Sequence, residues 1–150
     1  MDCKTKLNTT KTILLKAPKL PFSSAKIEEN SKQKLVKNRF DSLYVDNKEI
    51  ALLDTSKIFS RGHSMRETMG MKNIVSASVL DVLMLGRELI PKDWEKLEKT
   101  VYIFFWGTIF RGLFGSLYVK YLYFDGNTWN EHYFWLGSKW SGNSFATIIK

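Results

Sequence analysis

The sequence predicts an α+β fold: two short helices, then a small antiparallel sheet, then a loop-rich C-terminal part. Three observations carry that expectation. Helix signals are confined to residues 74–99, whereas from Thr100 the apolar residues follow a strand-like period. Sixteen of the twenty-one aromatic residues fall in Val101–Lys150. There they alternate with Gly, Asn and Ser, a mixture that suits binding loops because rigid rings give contact area at low entropic cost.

Residues 1–38 are rich in Lys, Thr, Ser and Asn with few apolar anchors, so they read as a disordered basic leader. Residues 39–73 read as a poorly defined connector, with short apolar clusters such as Leu43-Tyr44-Val45 and Ile50-Ala51-Leu52-Leu53. The ordered domain is expected over 74–150. Ser78-Val-Leu-Asp81 has capping-box spacing with Asp in place of Glu, which favours a helix, although Val75, Ala77 and Val79 also alternate as a strand would. Pro91–Lys99 predicts a second short helix: proline suits a first turn, Glu95 and Lys99 form an i,i+4 pair, and Trp94 and Leu97 share a stripe.

Strands follow. Thr100–Trp106 and Thr108–Arg111 come first, and Gly112–Gly115 makes a turn. Ser116–Phe124 then alternates, with Leu117, Val119, Tyr121 and Tyr123 on one face and Tyr118, Lys120, Leu122 and Phe124 on the other. Asp125-Gly126 is a hairpin signal. Trp129–Leu136 returns, Gly137–Asn143 is a longer loop, and Phe145–Ile149 closes the domain.

The net charge of +8 is unevenly spread: residues 1–40 carry +7, residues 41–100 carry −1 and residues 101–150 carry +2. A basic arm of this kind contacts phosphates without sequence preference. The single cysteine, Cys3, excludes an internal disulfide framework and a multi-cysteine zinc site. No secretory signal is visible, which favours a cytoplasmic location. Val101–Val119 is mostly apolar, but Arg111 and three glycines interrupt it, so no membrane span is expected.

Catalytic residues are sparse. His63 and His132 are far apart in sequence, and Asp125, Glu131 and His132 have no spacing that demands a metal. No nucleophile elbow or phosphate loop is present. The expectation is therefore a protein that is not an enzyme, with no catalytic residues, cofactor or metal.

Ile90-Pro-Lys-Asp-Trp-Glu-Lys96 resembles the opening helix motif of C-type-lectin-like domains of the formylglycine-generating-enzyme and fibrobacter-paralogous kinds. Val75–Asp81, Glu88–Trp94, Phe104-Phe-Trp-Gly-Thr-Ile-Phe-Arg111 and Leu117–Gly137 resemble the variable proteins of bacterial diversity-generating retroelements, over about seventy-five residues. The sequence departs from that family at Gly112-Leu-Phe-Gly115, where a more polar turn is usual, and at Asn143-Ser-Phe-Ala-Thr147, which lacks the expected Pro-Ala-Ala. Glu131 and Lys139 cannot arise from an asparagine codon by adenine changes.

The resemblance implies a C-type-lectin-like fold that displays side chains altered by adenine-directed mutagenic retrohoming, binding an unknown protein or surface ligand. It assigns Trp94, Trp106, Leu117, Val119, Tyr121, Trp129 and Trp135 to a constant scaffold. The changeable face would be Asn127, Thr128, Asn130, His132, Tyr133, Phe134, Ser138, Ser141, Asn143 and Ser144. Two other classes stay open: a nucleic-acid-binding protein using the Lys-rich arm with stacking rings such as Tyr118, Tyr121 and Trp129, and a small membrane protein anchored through residues 101–119.

Overall fold

The computed structural model describes residues 10–57, 61–70, 72–97, 100–139 and 143–150. Residues 10–54, expected as a disordered leader and part of a connector, supply five strands instead. These are β1 (Thr10–Leu14), β2 (Lys26–Asn30), β3 (Leu35–Arg39), β4 (Ser42–Val45) and β5 (Lys48–Asp54). Two tight turns explain the difference. Phe40-Asp41 and Asp46-Asn47 both adopt positive φ, between 49° and 67°, as a two-residue hairpin of right-twisted strands requires. Apolar clusters too short to bury themselves alone are thereby paired, and Val36, Leu43, Val45 and Ile50 all become buried. Asp46 Oδ1 accepts from the backbone N–H groups of Lys34 and Leu35, both at 3.1 Å, and so ties the second turn to the start of β3.

Helices α1 (Gly62–Gly70) and α2 (Ala77–Leu85) follow, then single 3₁₀ turns at Arg87–Leu89 and Lys92–Trp94. Ser76, two residues before the expected cap, starts α2: its hydroxyl accepts from Ser78 N at 3.0 Å. Of the second expected helix, Pro91–Lys99, the described residues form only the 3₁₀ turn Lys92–Trp94, and the expected Glu95–Lys99 pair lies outside the described residues. The remaining strands are β6 (Tyr102–Phe104), β7 (Thr108–Arg111), β8 (Leu117–Phe124), β9 (Trp129–Trp135) and β10 (Ser144–Ile149), close to the expected positions.

All ten strands join one mixed sheet in the order β1-β3-β4-β5-β10-β6-β8-β7-β2, with β9 also paired to β8. This corrects the expected α+β, C-type-lectin-like class. Among the described residues strand clearly outweighs helix, with ten strands and two α-helices, and the sheet is large rather than small. The C-terminal strand makes the difference. β10 runs antiparallel to β5 and parallel to β6, so it joins the N-terminal meander to the C-terminal strands. Residues 101–119, the alternative membrane anchor, contain β6, β7 and the start of β8. Among the described residues no helix is long and apolar enough to cross a membrane.

Successive residues of a strand face opposite sides, and here both sides are covered. Ile103, Phe105 and Leu122 pack with Leu80, Leu83 and Trp94 of the α2 side. Phe104, Trp106 and Val119 pack with Met65 and Met69 of α1 on the other. A buried polar network fixes the start of α2: Thr108 Oγ1 accepts from Ala77 N at 2.9 Å and donates to Asn30 Oδ1 at 2.7 Å. Ser76 N donates to Gln33 Oε1 at 2.8 Å. The segment following β2 is therefore part of the domain's framework.

Candidate ligand-binding face

Among the described residues, α1 covers one end of its side of the sheet. Toward the β8–β9 hairpin, register sets two rows across the strands: Asn130–Tyr123–Tyr102 and His132–Tyr121–Phe104. Paired residues of antiparallel strands share a face, so three tyrosines, an asparagine and a histidine come together. The ring centroids of Tyr102 and Tyr121 are 5.3 Å apart, and those of Tyr121 and Tyr123 are 5.9 Å apart. His132 stacks on Tyr121 at 6.1 Å, and the ring of Phe104 lies beside Tyr121 at 4.8 Å. The three tyrosines are half-buried and His132 is exposed. Burial pushes the Tyr121 phenol above its ordinary value, and the neighbouring phenols of Tyr102 and Tyr123 add to that.

The hairpin beside this face is held by Asp125. Its Oδ1 accepts from Asn127 N and Thr128 N, both at 2.8 Å, and its Oδ2 accepts from Asn130 Nδ2 at 3.1 Å. The backbone bonds from Thr128 and Asn127 hold the carboxyl below its usual value. On the opposite side of the sheet Trp129 is buried and its Nε1 donates to Glu95 Oε1 at 3.2 Å. The edge strand β9 is thus fixed from beneath while Asn130 and His132 project above. Rings, hydroxyls, a carboxamide and an imidazole on a fixed backbone suit reversible binding of an amphipathic surface.

The structure divides the expected changeable residues. Asn130 and His132 lie on the tyrosine face. Asn143 sits at its rim, with its carbonyl accepting from Tyr102 N at 2.9 Å. Asn127 and Thr128 are exposed on the adjoining turn. Tyr133 points to the other side, where its ring meets Tyr118 and Phe22. Phe134 packs toward the α1 core. Ser138 lies in the loop after β9, where its carbonyl accepts from Gly62 N. Ser141 lies outside the described residues. Ser144 is buried, sharing a 2.8 Å hydrogen bond with Thr55, so it is part of the β5–β10 junction rather than a displayed group.

Of the expected scaffold, Trp94, Trp106, Val119 and Trp129 are buried and Leu117 is partly buried. Trp135 is 50% exposed, because it stands at the end of an edge strand, and Tyr121 belongs to the open face itself. Tyr118 and Trp129, considered for base stacking with Tyr121, lie on the opposite side of the sheet from it. His132 and Glu131 also point to opposite sides, and among the described residues no three His, Cys, Asp or Glu gather as a metal site needs.

Sequence reasoning missed Tyr102 and Tyr123 as site residues. The β8 alternation already placed Tyr123 beside Tyr121, but Tyr102 joins them only through the β6–β8 register. It also missed a buried ion cluster on the α2 side. Lys120 Nζ, with its side chain 2% exposed, lies 2.9 Å from Glu131 Oε1 and 3.2 Å from Asp81 Oδ1. Asp81 and Glu131 line the floor of an apolar cleft of about 370 Å³ bounded by Ile13, Leu14, Val82 and Leu85. Both carboxylates are already engaged by Lys120.

Compared with known proteins, the chain matches no family model, no curated protein and no solved structure.

Proposed function

We propose that this protein is a non-enzymatic binder that recognises a protein surface through the open face of Tyr102, Tyr121, Tyr123, Asn130 and His132. The observation that carries this reading is the packing of three tyrosine rings side by side on a supported strand pair, with polar edge residues around them. Tyrosine-rich patches supply large, rigid contacts to protein partners. The rings rest on a packed core, so little ordering is lost on binding.

The test is a binding screen of the full chain against folded proteins, oligosaccharides and single-stranded nucleic acid, run in parallel with a Tyr123→Ser/His132→Ser variant. A protein bound by the chain and lost from a variant of unchanged Tm supports the reading. Binding that the variant keeps places the interface elsewhere, and a preference for nucleic acid favours the basic-arm reading.

Diversification by a retroelement belongs to the same proposal, since Asn127, Thr128, Asn130 and His132 can change without disturbing the buried side of β9. It requires a near-identical template repeat that differs from the gene chiefly at adenines. Differences scattered over all four bases would remove that part and leave the binding face in place.

A further inference from the structure

The far end of β8 carries a feature that the binding face does not use. Between β7 and β8 the chain turns through Gly112–Gly115: Gly115 N donates to Gly112 O at 3.1 Å, and Gly112 N donates to Ser116 O at 2.8 Å. Gly115 takes φ of +80°, which closes the turn. The two corner positions are Leu113 and Phe114, which are 77% and 97% exposed. Corners of such turns ordinarily take polar residues. Beneath them, register places Lys26 opposite Arg111 and Arg111 opposite Leu117, with Trp135 opposite Tyr118 in the next row. Lys26 and Arg111 are exposed, Trp135 is half-exposed, and Arg111 Nε is 3.3 Å from Glu28.

We propose that this turn is an interfacial anchor that enters the headgroup–acyl boundary of an anionic bilayer. Leu113 and Phe114 insert, Trp135 lies at the interface, and Lys26 and Arg111 meet lipid phosphates. Contact area decides between occupants. A buried aromatic ring contributes about 200 Å², so this pair falls well short of the roughly 800 Å² per partner of a stable protein interface. A bilayer asks only for apolar insertion and attraction between basic residues and anionic headgroups. The net charge of +8 supplies the long-range part. The turn adjoins Leu117 whereas the binding face centres on Tyr121 and Tyr123, so the two surfaces are separately testable.

The experiment is co-sedimentation of the full chain with vesicles of phosphatidylcholine alone and of phosphatidylcholine mixed with phosphatidylglycerol. It is repeated with Leu113→Ser/Phe114→Ser, whose substitutions touch only exposed side chains. The expected result is binding to the mixed vesicles, weak binding to the neutral ones, and a variant about tenfold weaker or more at unchanged Tm. Equal binding by the variant would overturn the proposal, because the net positive charge of the chain alone would then account for it. So would failure of the unaltered chain to sediment with anionic vesicles. Self-association that disappears in the variant would also overturn it, assigning the turn to a second copy of the chain.

Discussion

Lys120 Nζ and Glu131 Oε1 are 2.9 Å apart across the β8–β9 pair, with the lysine side chain 2% exposed. A charge so enclosed depends on its partners, since removing one member of a buried pair leaves the others uncompensated. Lys120→Met would leave Asp81 and Glu131 close together without a cation. The expected loss is about 3–5 kcal/mol in urea unfolding. A loss below about 1 kcal/mol would mean that water reaches the cluster.

Asp81 should behave differently from Lys120. Burial pushes its carboxyl above the ordinary value, against the opposing effects of the Lys19 amide and the Lys120 ammonium. An acid raised in the folded state holds its proton more tightly there. Its contribution is therefore greatest below the unfolded pKa and falls as pH rises through the folded one. Asp81→Asn keeps an acceptor for Lys19 N, 2.7 Å away, and removes that decline. Stability at neutral pH should stay within about 1 kcal/mol of the parent, with a flatter profile on the acid side. A collapse as large as that of Lys120→Met would show that the charge itself is needed.

Gly107 gives a steric test of the junction between β7 and α2. An added Cβ would lie 2.5 Å from both Ser76 N and Val75 O, backbone atoms that cannot swing aside. Gly107 N also donates to Val75 O at 2.8 Å, so the approach is part of the fold. Gly107→Ala should cost at the upper end of about 1–3 kcal/mol. Gly70, with nothing within 4 Å, is the control: its alanine variant should stay within about 0.5 kcal/mol. Matching thermal shifts in the two variants would contradict the close packing.

How far the sequence reveals this architecture depends on how local each signal is. The β8 alternation, the Asp125-Gly126 hairpin and the approximate limits of β6, β7 and β9 are local, and all were legible. The five N-terminal strands were not. Lysines outnumber acids there and the apolar clusters are short; β1, β3, β4 and β5 pair with one another, and they join the C-terminal strands only where Ile50–Asp54 of β5 pairs with Phe145–Ile149 of β10, while β2 joins through β7. The Asp46-Asn47 turn was the available signal, since that pair tolerates positive φ. The candidate site was half legible for the same reason. Asn130 and His132 could be singled out within one segment, whereas Tyr121 was assigned to the scaffold and Tyr102 joins them through a cross-strand register.

Asp125 offers a test of the turn beside the binding face. Its carboxyl is held below the ordinary value by the backbone N–H groups of Thr128 and Asn127. A carboxylate lowered in this way contributes stability above its unfolded pKa and loses it as pH falls through the folded one. Asp125→Ala should lower Tm at neutral pH and show less further loss on acidification than the parent. An unchanged Tm at neutral pH would mean that the turn holds its shape without the carboxylate.

The binding proposal requires β9 to be tolerant on one side and intolerant on the other. Trp129 is 3% exposed and donates to Glu95, so Trp129→Ala removes a core side chain and should cost about 3–5 kcal/mol. His132, three residues away, is exposed; its ring stacks on Tyr121 and on Tyr133, and its Nδ1 accepts from Tyr133 N at 2.8 Å. His132→Ser should change stability by no more than about 0.5 kcal/mol. Asn130→Ser loses the bond to Asp125 Oδ2 and should cost somewhat more, up to about 1 kcal/mol. Urea unfolding of the three variants measures the contrast. If His132 proved as sensitive as Trp129, the tyrosine face would be a closed part of the core, and neither ligand display nor diversification would have a surface on which to act.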